Sequence, residues 1–163
     1  MSAKKNVLFL CTGNSCRSQM AEGWARALKG DVLEVHSAGT APHGLDPNAV
    51  RVMAEAGVDI SAHRSKHVNE LLDAGIDFVV TVCDSAAEAC PRFPGKAVTL
   101  HHSFDDPPRL AKDARDREAA LAAYRRVRDE IRAFVADDLI GALQAAAAGR
   151  GAAEGLGAAG SGA

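Results

Sequence analysis

Four short apolar runs, separated by stretches with helical spacing or by loops, leave this chain few architectures. The first, Val7-Leu8-Phe9-Leu10, is apolar without alternation, the pattern of a strand buried on both faces of a parallel sheet. A Gly/Asn/Ser loop follows, and then Met20, Trp24 and Leu28, with Ala21 and Ala25, repeat at helical spacing until Gly30. Val32 to His36 reads as a second strand. Asp46-Pro47 opens a helix, with Asp as N-cap and Pro at the first helical position. Val50, Met53 and Ala54 form its buried stripe and Gly57 closes it. Val68 to Ala74 reads as a short helix, Asp77 to Cys83 as the third strand and Ala97 to Leu100 as the fourth. From Asp113 to Leu143 the chain is helical, with Leu121, Tyr124, Val127, Ile131, Phe134 and Val135 near one face. Strands alternating with helices predict an α/β fold, a single four-stranded parallel sheet, doubly wound and flanked by helices.

The 163 residues, 47% apolar, suit one domain over residues 1–143. Residues 144–163 are almost entirely Ala and Gly, with little to bury, and read as a disordered tail. A formal net charge of −2 argues against a nucleic-acid or anionic-membrane coat. No run reaches the ~18 apolar residues of a membrane helix, and the run after Lys4-Lys5 is too short for a signal-peptide core. The expected setting is cytoplasmic. There the cysteines Cys11, Cys16, Cys83 and Cys90 are reduced, catalytic, redox-active or metal-binding rather than structural disulfides.

The stretch Cys11-Thr12-Gly13-Asn14-Ser15-Cys16-Arg17-Ser18 places a cysteine at a strand end and an arginine six positions later, at a helix start. Five intervening residues let the backbone curl around a tetrahedral oxyanion with its N–H groups inward. The helix N-terminus adds partial positive charge, and Arg17 offers a bidentate fork. The same setting is expected to make Cys11 a thiolate at neutral pH, with Ser18 as a further donor. Gly13 and Asn14 suit positive φ. Cys16 either protects Cys11 by disulfide formation or packs, and packing is the preferred reading.

Cys83 ends the third strand, and strand ends of a parallel sheet gather on one edge, so Cys11 and Cys83 are expected to meet. Cys90 follows after six residues. If those six were helical, the two Cα atoms would stand roughly 10 Å apart, beyond the ~4.4–6.8 Å of a disulfide, so pairing requires local unwinding. Two inert thiols, or a metal site with His101 or His102, are the competing readings; the spacing is wide for zinc. Asp105-Asp106-Pro107-Pro108 offers a general acid on a rigid loop after the fourth strand, or merely a solvated turn. Sequence logic does not choose between Asp105 and Asp106.

These residues resemble the thioredoxin-coupled arsenate reductases that share the fold of low-molecular-weight protein tyrosine phosphatases, with its flavodoxin-like strand order. The likeness runs from about Asn6 to Phe134. It rests on Val7 through Trp24, Ser37-Ala-Gly39, Asp59-Ile-Ser61, Val79-Val-Thr-Val-Cys83 through Cys90-Pro91, Phe104-Asp-Asp106-Pro107 and Arg126-Val-Arg-Asp-Glu-Ile131. The resemblance implies that Thr12, Gly13, Asn14, Ser15, Cys16, Arg17 and Ser18 bind arsenate, with phosphate and sulfate competing. It implies that Cys11 attacks, Asp106 protonates the departing oxygen, Cys83 takes the oxidation from Cys11, and Cys90 takes it from Cys83. Thioredoxin then reduces the last disulfide. No cofactor and no resident metal is implied, nor a nucleic-acid or membrane partner, and the chain is expected to be a monomer.

Two positions depart from the family. His102 and Ser103 stand where Trp often precedes the Phe-x-Asp-Pro stretch. Some members bind potassium through positions matching Asn14, Glu22, Ser37 and an acidic residue; Lys66 stands at the acidic place, and its ammonium is expected to replace the ion. The nearest alternative is a phosphatase that uses Cys11, Arg17 and Asp106 but not Cys83 or Cys90, and even the reductase is expected to show weak phosphatase activity. Another class is a non-catalytic arsenical- or anion-binding module built on three thiols.

Overall fold

The computed structural model describes residues 3–89 and 97–149. Its four strands, β1 (Lys5–Cys11), β2 (Leu33–Gly39), β3 (Phe78–Thr81) and β4 (Val98–His101), form one sheet in the order β2-β1-β3-β4, every pair parallel. Central β1 holds Val7, Leu8, Phe9 and Leu10 wholly out of solvent, which is why its sequence has no polar alternation. The helices are α1 (Arg17–Lys29), α2 (Pro47–Glu55), α3 (Asp84–Ala89), α4 (Pro107–Ala111) and α5 (Arg117–Ala133). α1 packs on β1 and β2 and against α5, while α3 packs on β1 and β3. No helix among the described residues is long and apolar enough to cross a membrane.

Several boundaries differ from the expectation. β2 begins at Leu33 and runs on to Gly39, leaving Val32 48% exposed. β3 stops at Thr81, so Cys83 lies two residues past the strand and directly before α3. The short helix expected at 68–74 is a 3-10 turn, Val68–Leu71. In α2 the buried positions are Ala49, Val52 and Met53, while Val50 is half-buried and Ala54 exposed. Asp46 caps the helix as expected, holding the Asn48 N–H at 2.8 Å, and the stripe is rotated by one residue because α2 packs against α5 and α1.

The long C-terminal helix is interrupted where its buried residues demand it. Val127, Ile131, Val135, Leu139 and Leu143 are all buried at four-residue steps, which drift off a 3.6-residue stripe. A π turn over Phe134–Asp138 widens the helix at that point and brings the stripe back toward the core. Helix then continues through residue 149. Residues 144–149 are thus helical where composition predicted disorder; alanine is the best helix former, and buried Leu143 anchors the preceding turn. The remainder of the expected tail, 150–163, lies outside the described residues.

Strand register places the functional groups. Cys11 is opposite Gly39, Leu10 opposite Thr81, and Thr81 opposite His101. The C-terminal ends of β1, β3 and β4 therefore share one edge. The chain turns from β1 to β2 on one side and to β3 on the other, so the loop after Cys11 occupies the topological switch point.

Candidate active site

The loop from Cys11 to Cys16 is shaped from outside. Each of its six carbonyls accepts a hydrogen bond from a neighbouring group. Thr40 N–H reaches Cys11 O (3.2 Å), Ala41 N–H reaches Thr12 O (2.8 Å), His43 N–H reaches Gly13 O (3.1 Å) and Asp46 N–H reaches Ser15 O (3.0 Å). Gln19 Nε2 donates to Asn14 O at 3.0 Å and Met20 N–H to Cys16 O at 2.9 Å. With the oxygens held outward, the loop amides are left for an anion on the inner side. α1 begins at Arg17 with no acidic residue in its first turn and no side-chain cap, so its positive end also faces the loop. Two positions make this possible. Asn14 takes φ +46°, the left-handed conformation that Asn tolerates. A Cβ at Gly39 would lie 2.4 Å from Thr12 O, a backbone atom that cannot yield. Gly13 does not take positive φ; the exposed His43 ring lies over it and would have to swing aside for a Cβ.

A buried chain of hydrogen bonds runs from Glu22 to the Cys11 sulfur. Ser37 Oγ donates to Glu22 Oε1 at 2.6 Å. Asn14 Nδ2 donates to Ser37 Oγ at 3.0 Å and to Ser18 Oγ at 2.9 Å. Ser18 Oγ stands 2.8 Å from Cys11 Sγ. The carboxylate only accepts, so it fixes each donor along the chain and leaves the Ser18 hydrogen for the sulfur. Asn14 N–H adds a bond to Sγ at 3.2 Å.

The expectation that Cys11 is a thiolate by virtue of its loop alone is corrected. Burial pushes its thiol above the ordinary value and outweighs the hydrogen bonds from Ser18 and Asn14, which pull it down. Arg17 faces the acid loop, with Nη1 on Phe104 O at 2.8 Å and Nη2 3.7 Å from Asp106 Oδ1. Because the raised value favours the thiol at neutral pH, alkylation of Cys11 is expected to accelerate as pH rises. In Ser18→Ala that profile should move to still higher pH, with alkylation about tenfold slower at neutral pH. Iodoacetamide labelling against pH measures both, and an unmoved profile in Ser18→Ala would remove Ser18 from the activation of Cys11.

Lys66 makes no direct ion pair with Glu22, although the Glu22 charge acts on its half-buried ammonium. Its Nζ donates to Arg64 O at 3.0 Å and its backbone N–H to Asn14 Oδ1 at 2.9 Å. Glu22 is paired instead with Arg26, Nη1 to Oε2 at 2.9 Å, with His63 Nε2 3.6 Å from the same oxygen. A potassium ion here would have to compete with the Ser37 hydroxyl and the Arg26 guanidinium for Glu22, and with the Lys66 N–H for the Asn14 oxygen. Turnover is expected to be equal in potassium and sodium at fixed ionic strength; activation by potassium would contradict this arrangement.

A cleft of about 770 Å³ brings together Cys11, Thr12, Gly13, Ser15, Cys16, Arg17, Cys83, Asp105 and Asp106. Asn14 and Ser18 are fully buried behind the loop. Thr12 Oγ1 is 3.4 Å from Cys83 Sγ, so the first two thiols of the expected relay share one cleft. Cys90 lies outside the described residues. Cys16 is buried, and burial, then the Asp46 and Asp106 carboxylates, push its thiol well above the ordinary value, in keeping with packing. The two acid candidates separate here. Asp105 Oδ2 pairs with Arg126 Nη2 at 3.1 Å. Asp106 opens α4 without a side-chain capping bond, leaving its carboxylate toward Arg17. His101 and His102 do not converge on Cys83 as metal ligands. His101 bonds Thr81 and Asp84, and His102 stacks on Phe104 and Phe134. No group of three or more His, Cys, Asp or Glu residues able to hold a metal occurs among the described residues.

Sequence reasoning missed Gln19, His43 and Ser65, the last donating to Gly13 O at 3.1 Å. It also missed Arg26, although the Glu22/Arg26 spacing of four on a helix was the available signal.

The chain matches the model of the low molecular weight phosphotyrosine protein phosphatase family over residues 6–148. It is 50% identical over 128 residues to an arsenate reductase of Halalkalibacterium halodurans, covering 78% of this chain and 90% of that protein. A solved arsenate reductase in a phosphate-binding state superposes with TM-score 0.70 at 29% identity, covering 85% of this chain and 98% of the other. A thioredoxin-dependent arsenate reductase from Corynebacterium glutamicum superposes with TM-score 0.64 at 25% identity, covering 88% of this chain and 63% of the other. The strand order, the loop at the switch point and these similarities together place the chain in the low molecular weight phosphotyrosine protein phosphatase family, beside its arsenate reductase relatives.

Proposed function

We propose that this protein reduces arsenate to arsenite in the cytoplasm, as a monomer, with thioredoxin restoring its thiols. The observation that carries the reading is the shared cleft of Cys11, Arg17, Cys83 and Asp106. A phosphatase can finish with water and needs one thiol. Reduction of arsenic from the +5 to the +3 state needs two electrons, and two thiols joining as a disulfide supply them.

The Cys11 thiolate attacks arsenic while the loop amides and Arg17 hold the oxyanion. Asp106 takes up the proton that the Cys11 thiol releases and passes it to the departing oxygen, which leaves as water. Cys83 attacks the Cys11 sulfur of the adduct. The sulfur–arsenic bond breaks with its electron pair on arsenic, arsenite departs, and a Cys11–Cys83 disulfide remains. Cys90 then attacks Cys83 and frees Cys11 as a thiolate. Thioredoxin reduces the resulting Cys83–Cys90 disulfide.

The test is arsenate-dependent NADPH oxidation with thioredoxin and thioredoxin reductase. Sustained oxidation, with one arsenite formed per NADPH consumed, supports the proposal. Hydrolysis of an aryl phosphate with no arsenate-dependent NADPH consumption would make the protein a phosphatase. Slow hydrolysis beside reduction is expected, because phosphate and arsenate have nearly the same shape and charge.

A further inference from the structure

Asp84 is the first residue of α3 and directly follows Cys83. Its Oδ1 lies 2.9 Å from His101 Nε2, and His101 Nδ1 lies 2.6 Å from Thr81 Oγ1. The carboxylate can only accept, so Nε2 carries a hydrogen; between Nδ1 and Thr81 Oγ1 either atom can donate, since the hydroxyl also lies 3.5 Å from Leu100 O. Thr81 is fully buried at the end of β3, and His101 ends β4. The three side chains tie the start of α3 to the rigid ends of two strands.

Resting on the three-thiol relay proposed above, we infer that Asp84 and His101 form a latch. The latch holds α3 helical in the dithiol state and opposes the passage of oxidation from Cys83 to Cys90. Residues 84–89 are helical, and seven residue steps at helical rise span roughly 10 Å. A disulfide requires Cα atoms about 4.4–6.8 Å apart. The segment must therefore leave helical geometry, and Asp84 is the residue from which it starts. In the chemical step Cys90 attacks Cys83, the bond from Cys83 to Cys11 breaks, and Cys11 leaves as a thiolate. The oxidant is the disulfide that arsenate has already generated, so no other is needed. The latch lies outside the bond-making groups. Asp84 and His101 are positioning residues that set the balance between dithiol and disulfide.

The pair is accessible, with the Asp84 side chain 84% and the His101 side chain 40% exposed, so its effect is modest and of definite sign. The full chain is equilibrated with reduced and oxidised dithiothreitol, and the Cys83–Cys90 disulfide is counted by thiol trapping and mass spectrometry. Asp84→Ala and His101→Phe should each shift the equilibrium about two- to fivefold toward the disulfide, and the double variant no further than either alone. Equal constants in all four proteins would overturn the latch. So would full additivity in the double variant, which would assign the Asp84 effect to charge at the helix end. If the wild type forms no Cys83–Cys90 disulfide, the relay fails and the latch with it. If it forms with unchanged constants, only the latch fails. Asp84→Ala alters an exposed side chain, so the test survives a folding defect in His101→Phe.

Discussion

Cys90→Ser is expected to release about one arsenite per enzyme and then stop, stalled as a Cys11–Cys83 disulfide. The reason lies in where the first two thiols sit. Cys11 and Cys83 are both buried, at 4% and 5% exposure, with Thr12 Oγ1 3.4 Å from the Cys83 sulfur. A disulfide between them forms on the floor of the cleft, where a protein reductant gains poor access. In the proposed relay the third thiol takes the oxidation on from this first disulfide. Single-turnover arsenite release, followed by mass spectrometry of the protein under non-reducing conditions, reads the outcome. Aryl phosphate hydrolysis should be untouched in Cys90→Ser, because that reaction ends before a second thiol is used. Continued NADPH oxidation by the variant would mean that thioredoxin attacks the first disulfide directly, and the role given to Cys90 would be lost.

Arg17→Lys should lower kcat/KM about 10²–10³-fold for both arsenate and aryl phosphate. The substitution keeps the charge and loses the planar fork, which does two jobs. In the proposed reaction the fork takes two oxygens of the tetrahedral anion. It also holds the acid loop, through the Phe104 carbonyl at 2.8 Å and Asp106 at 3.7 Å. A lysine ammonium cannot serve both from one point. Parallel loss in the two reactions separates this variant from Cys90→Ser, since both substrates pass through attack by Cys11. A loss confined to arsenate would show that Arg17 acts after the first adduct rather than in forming it.

The sheet, its parallel sense and the strand–loop–helix carrying Cys11 and Arg17 were legible in the sequence. All three rest on local regularities: unbroken apolar runs, helical spacing and a Gly/Asn/Ser loop between them. Asp46-Pro47 likewise marked its helix start correctly, because a cap acts on its own first turn. The phase of α2 and the extension of the last helix through residue 149 were not legible. Both depend on which side chains meet another element, and the π turn over Phe134–Asp138 answers the packing of Leu139 and Leu143 rather than any property of its own residues.

The site divides in the same way. The sequence by itself determined the loop from Cys11 to Arg17, because the spacing that would let it curl around a tetrahedral anion lies within one continuous stretch. Tertiary structure alone decided what holds the loop open. Residues 40–46 and Gln19 turn the loop carbonyls outward, and the parallel bridge between Gly39 and His67 brings the Lys66 backbone, not its ammonium, to Asn14. Tertiary structure also separated Asp105, paired with Arg126, from Asp106, which faces Arg17, and it set Cys11 and Cys83 in one cleft through strand register. The physical reason is range. Propensity, capping and loop geometry act over a few residues and leave their mark in local spacing. Charge pairing and donor direction at the site join segments that only the folded sheet brings within hydrogen-bond distance.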